Sequence, residues 1–196
     1  FRTTPTLADS TTATSLSAGS DLYSMTITAG SGRDLGLRMM SFQVATTGAT
    51  VTGFQLFGPN GAVNASTVNA LGADGSARLS IRFDDTATDR LISAGTSKTY
   101  RLRATTVSGL TAANTESLNI FLLADTGYPA LAAIMGTENA VEGSASTSDR
   151  LIWTPFSTTT PQAAASINGN LDWTNGYGAS GYPGVGQSFT TRVFKD

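Results

Sequence analysis

The heptapeptide ARLSIRF, residues 77–83, alternates apolar and polar side chains without a break. That period belongs to a strand with one buried face, because successive side chains on a pleated backbone point to opposite sides. The spacing puts Ala77, Leu79, Ile81 and Phe83 inward and Arg78, Ser80 and Arg82 outward. The same period recurs along the chain. DLYSMTITA (21–29) turns Tyr23, Met25, Ile27 and Ala29 to one side, and SKTYRLRATTV (97–107) does the same with Tyr100, Leu102 and Ala104, leaving Arg101 and Arg103 outside. SLNIFLLA (117–124) has Leu118, Ile120 and Leu122 on one face and Phe121 and Leu123 on the other, the pattern of a strand covered on both sides. In LGLRMMSFQVAT (35–46), Leu35, Leu37 and Met39 share one phase and Met40, Phe42 and Val44 the other. A slip of phase inside a strand predicts a β-bulge between Met39 and Met40. VTGFQLF (51–57) is a further strand, stopped by the turn residues GPNG, and AVNASTVNA (62–70) is a weaker strand or an edge.

Short strands at this spacing, separated by Gly, Asn, Asp and Pro, predict an all-β sandwich over residues 18–142. Helical periodicity is confined to PALAAIMGTENAV (129–141) and to one turn within DDTATDRLISAG (84–95). Both flanks differ. Residues 1–17 are Ser/Thr-rich, with Phe1, Leu7 and Leu16 as apolar anchors, and form an N-terminal extension that is a candidate donor strand. Residues 143–196 are a Gly- and aromatic-rich C-terminal tail, read as a wrapping or assembly segment. Its densest part is LDWTNGYGASGYPGVG (171–186). There glycine permits tight turns and close backbone approach. The aromatics Trp153, Trp173, Tyr177 and Tyr182 can pin such a segment at a few points, each burying a large area at small rotamer cost. The competing reading makes the same rings a platform for sugars.

Composition removes several chemistries. The chain has 196 residues, no Cys and no His, which excludes disulfides, thiol catalysis, Ser-His-Asp machinery and imidazole metal ligands. Its net charge of −2, with 13% charged residues, offers no basic patch for nucleic acid. No stretch has the length and apolarity of a membrane span. The sequence begins at Phe1, which reads as a chain whose leader has been removed, hence an extracellular or cell-surface location.

The residues left for chemistry are few. Asp84, Asp85 and Asp89 cluster as a weak calcium candidate, set against the plainer reading of a turn with a capped helical start. Nothing in the sequence brings two of Asp125, Glu138 and Glu142 together as a glycosidase pair. GYGASGYPGVG has neither the flanking elements nor the Lys of a phosphate loop. Asn64-Ala65-Ser66 is an N-glycosylation sequon, and STTTP (157–161) could carry O-glycans. Lys98 and Lys195, the two lysines, have an internal isopeptide link as their minor reading and a surface role as the main one. No cofactor and no catalytic residue are expected.

Two stretches carry a resemblance. LSIRFDDTATDRLISAGTSKTYRLRATTVSGLTAANTESLNIFLLA (79–124) resembles immunoglobulin-like β-sandwich modules of secreted prokaryotic surface-layer and fibre proteins. DRLIWTPFSTTT with LDWTNGYG, between 149 and 178, resembles an element found after such modules. The resemblance implies an immunoglobulin-like sandwich of about seven to nine strands and a non-catalytic structural protein. Taken with the two flanks, it points to the subunit of an extracellular, pilus-like filament whose partner is itself, joined head to tail by β-strand pairing. A surface-layer lattice protein is the first alternative and a carbohydrate-binding or adhesin module the second. Phe1, Leu7, Leu16, Trp153, Trp173, Tyr177 and Tyr182 are the expected contact residues.

Overall fold

A computed structural model of the chain describes residues 3–11, 15–69, 71, 77–84, 87–111, 115–124, 150–155, 174–176, 179–182 and 192–195. Phe1, Asp85, Asp125, Glu138, Glu142, Trp173, Tyr177, the helix candidate 129–141 and the run 157–161 lie outside them.

Two antiparallel sheets face each other across one core. The first joins β1 (Pro5–Asp9), β2 (Tyr23–Ala29), β9 (Ser97–Ser108), β4 (Thr50–Gly58) and β5 (Gly61–Ala62), in that order. The second is built on β3 (Leu35–Thr47), a 13-residue strand long enough to carry two partners on each edge. On one edge lie β8 (Leu91–Ile92) and β7 (Arg78–Phe83), the latter extended by β6 (Ala65–Asn69). On the other lie β11 (Leu151–Thr154) with β12 (Thr174–Asn175), and β10 (Ser117–Leu122) with β13 (Arg192–Lys195). The sandwich is the architecture the alternating segments predict. It holds more strands than the period alone shows, because β5, β8 and β12 are two-residue pieces and β11, β12 and β13 come from the C-terminal tail.

The inward faces are the ones the alternation assigns. Tyr23, Met25, Ile27, Tyr100, Leu102 and Ala104 meet Phe42, Leu79, Ile81, Phe83, Leu118 and Ile120 in one cluster. Edge-to-face ring pairs, Tyr23 with Phe42 at 5.8 Å and Phe83 with Tyr100 at 5.6 Å, tie the two layers together. The bulge in β3 falls at Arg38, one residue ahead of the predicted step. Ile152 pairs with Met39 but Trp153 with Leu37, so Arg38 is the extra residue. The slip lets Leu35 and Leu37 on one side of it, and Met40, Phe42 and Val44 on the other, all reach the core.

One expectation needs correction. Arg78 and Ser80 do turn away from the core, but they are not solvent-facing: both are buried, opposite Gln43 and Ser41 of β3 on the outer surface of the same sheet. Ser41 and Ser80 share a hydroxyl–hydroxyl bond of 2.8 Å there. Period-two spacing says which side chains share a face; it does not say which face meets water. The predicted turn in 84–95 is a single 3-10 turn, Thr88–Arg90. Among the described residues no helix is long and apolar enough to cross a membrane.

Candidate functional site

The N-terminal strand lies in a slot at the edge of the first sheet. Thr3, Pro5 and Leu7 are buried, while Thr4, Thr6 and Ala8 are exposed. On one flank β1 pairs with β2 from Pro5–Ala29 to Asp9–Met25. Side-chain and backbone bonds prolong that ladder at both ends: the Thr3 hydroxyl donates to the Gly30 carbonyl at 3.1 Å, and the Ser24 N–H donates to the Thr11 hydroxyl at 2.8 Å. Backbone groups on an antiparallel strand alternate in direction, so those of Leu7 point away from β2. They meet the turn 179–182 instead. The Leu7 N–H donates to the Ser180 carbonyl at 2.8 Å, within a parallel bridge between Thr6 and Ser180. Pro5 lies in phase with Leu7, so the N–H it lacks would have faced away from the β2 ladder.

The turn itself is held from behind. The Tyr182 N–H donates to the Ala179 carbonyl at 3.2 Å, and the buried Tyr182 ring sends its hydroxyl to the Leu123 carbonyl, at the end of β10 in the other sheet. Gly181 has φ +74, and a Cβ there would lie 2.0 Å from the Leu7 carbonyl oxygen. Only glycine permits this approach. Four residues of the Gly-rich tail therefore bridge the two sheets and close the outer side of β1. On the far edge of the same sheet, β5 pairs only with Phe57 and Gly58, and Val63 bonds Leu56. Among the described residues no strand pairs with positions 50–55 of β4 on the edge away from β9, and none of these residues is charged.

The other expected contact residues are placed as follows. Leu16 is buried in the core at 2% exposure. Trp153, on β11, is 1% exposed and lies inside the same cluster, so its ring offers no face to a sugar. Asn64 is exposed, between β5 and β6, and its carbonyl accepts the Asp84 N–H.

Asp84 and Asp89 take different partners. Asp84 accepts from the Ser66 hydroxyl at 3.1 Å. Asp89 is buried and turns toward the turn between β4 and β5, where its Oδ1 accepts from Asn60 Nδ2 at 2.7 Å and from Lys98 Nζ at 3.4 Å. A carboxylate already beside an ammonium is a poor calcium ligand. No group of three possible ligands assembles among the described residues. The Asp89 carbonyl in turn accepts from the buried Tyr100 hydroxyl at 2.5 Å, and burial first, then the Asp89 charge, push that hydroxyl's pKa far up, so it stays a donor. Gly58 completes this knot, since a Cβ there would lie 2.6 Å from Asp89 Oδ2. Sequence reading missed it because Asn60, Asp89 and Lys98 belong to separate segments. The Gly in GPNG was its one visible trace.

No protein-family model and no curated protein matches the chain. Among solved structures, it is similar to the pilus backbone RrgB from Streptococcus pneumoniae, at 10% identity and TM-score 0.32, over 65% of this chain and 55% of that one. It is also similar to the full-length major pilin SpaD from Corynebacterium diphtheriae, at 14% identity and TM-score 0.31, over 61% of this chain and 30% of that one. The chain thus spans about half of the first and less than a third of the second.

Proposed function

We propose that the protein is a non-catalytic structural subunit of an extracellular, pilus-like filament, in which copies join head to tail by β-strand pairing. The observation that supports it is the seating of β1. The strand gives its neighbours one buried row, Thr3, Pro5 and Leu7, and one backbone ladder, and it is the outermost β-strand of its sheet. A second copy carries the same strand and can make the same contacts. Exchange of an identical element costs little because every bond lost within a chain is regained between chains. Repeated from copy to copy without closing, such a contact generates a fibre.

Electron microscopy of the purified full chain, beside a variant lacking residues 1–11, tests this reading. The deletion removes β1 and leaves Leu16 in the core. Fibres from the full chain and dispersed particles from the variant are expected. Dispersed particles from both would overturn it, and flat two-dimensional arrays would point to a surface-layer lattice instead.

A further inference from the structure

The turn 179–182 does more than fill space. Strand β1 is held by a ladder on one flank and by this turn on the other, and the two holds differ in kind. The β2 ladder is five residue pairs between neighbouring strands. The turn is a compact unit that meets β1 and the opposite sheet at neighbouring residues. Ser180 takes the Leu7 N–H, Gly181 lies flat against the Leu7 carbonyl, and Tyr182 is bolted to Leu123 in the opposite sheet. With Gly181 against Leu7, β1 is enclosed from the side by which an edge strand would otherwise leave.

We propose that the turn 179–182 is a clasp on the β1 slot, and that β1 enters or leaves the slot only when the clasp swings away, whether the strand belongs to the same chain or to a second copy. The clasp thereby also covers the outer backbone edge of β1, where a foreign strand could otherwise add. This rests on the reading that β1 is the strand that copies exchange. The clasp's own behaviour can nevertheless be measured without a filament.

Hydrogen–deuterium exchange of the full-length chain supplies the first measurement, followed at the segment 3–11 and at strands β3 and β9. Three variants are compared with the wild type. Gly181→Ala drives a methyl into the Leu7 carbonyl, and Tyr182→Phe removes the hydroxyl that bonds Leu123. Gly19→Ala is the control, because it also strains a positive φ (+77) but has open space around it. The clasp predicts exchange at 3–11 faster by about tenfold or more in Gly181→Ala and by a smaller factor in Tyr182→Phe, with β3 and β9 unchanged. Segment 3–11 exchanging at the wild-type rate in both variants, or accelerating only in step with β3 and β9, overturns the clasp.

The second measurement uses the absence of cysteine. Thr6 and Thr28 face each other across β1 and β2, at a separation an antiparallel pair shares with disulfides. Chains carrying Thr6→Cys alone and Thr28→Cys alone are mixed and oxidised, with and without Gly181→Ala. A cross-linked heterodimer that forms faster with Gly181→Ala supports both the clasp and exchange between copies. Faster opening of 3–11 without any heterodimer keeps the clasp and removes the filament reading. Heterodimer forming equally fast in both backgrounds keeps strand exchange and removes the clasp.

Discussion

At the scale of single residues, the most consequential side chain outside the slot is Asp89. The sequence groups it with Asp84 and Asp85, which are near it in the chain. The fold separates them by purpose: Asp84 fastens the β6–β7 edge through Ser66, while Asp89 ties the β4–β5 turn, the 3-10 turn and β9 together through Asn60, Lys98 and Tyr100. The pair Lys98–Asp89 spans 3.4 Å, and the carboxylate is nearly enclosed. Removing the carboxylate takes the acceptor from the Asn60 amide and leaves the Lys98 ammonium on the Thr88 carbonyl at 3.1 Å. Hydrogen bonds to charged groups contribute about 1.5–3 kcal/mol each in such settings. Asp89→Ala should therefore lower the unfolding free energy by about 2–3 kcal/mol, read as a lower urea midpoint at constant slope. A midpoint within error of wild type would show that the knot is replaceable by water. Arg101 and Arg103 are simpler: both reach Asp21 across the exposed face, and Arg103 also covers the Phe57 ring at 4.4 Å.

At the scale of elements, the connection from β9 to β10 contains a pH-sensitive joint. Glu116 is held below its ordinary value of 4.5, first by the Thr111 hydroxyl at 2.6 Å and then by backbone donors, with desolvation opposing. A carboxylate whose folded pKa is depressed adds stability above its unfolded value and loses it as the pH falls through the folded one. Melting temperatures of wild type and Glu116→Gln should thus differ at neutral pH and converge as the pH drops below 4.5. A gap that stays constant down to pH 3 would assign the effect to packing against Gly48 instead.

Elements also show where the sequence is readable. Strands β2, β7 and β9 announce themselves because each turns one apolar face to the core and a polar face away from it, whether or not that second face meets water, and this is what an alternating pattern encodes. The shift in β3 is visible for the same reason, displaced by one residue because Arg38 is itself buried and reads as polar. The tail strands are nearly silent. β11 is four residues with every side chain buried, and β12 has two residues, so neither has a period to show. Their partners are also distant: Leu151 pairs with Met40, and Phe194 with Leu118. For the slot, composition exposes the materials but not the assembly. Glycine density in 171–186 points to a close backbone approach. That the approach is to Leu7 is a property of the closed fold.

At the scale of the whole molecule, the surfaces proposed to meet are nearly without charge. The chain carries net −2, the buried row of β1 is Thr3, Pro5 and Leu7, and the clasp is Ala179, Ser180, Gly181 and Tyr182. Attraction between copies must then come from apolar burial and backbone bonds, neither of which is screened by ions. Fibre yield should change little between 50 mM and 1 M NaCl, measured by sedimentation. A steep loss at high salt would mean that ion pairs outside β1 hold the copies together.

Timing follows from the clasp's position in the chain. About 170 residues separate it from β1. At roughly 5–20 residues per second, a polypeptide emerging from the ribosome N-terminus first presents β1 on the order of ten to thirty seconds before Gly181 exists. During that interval the first strand has its ladder partner but no gate. On the filament reading, the choice between folding alone and joining a neighbour is open early and closes late, when the last tenth of the chain arrives.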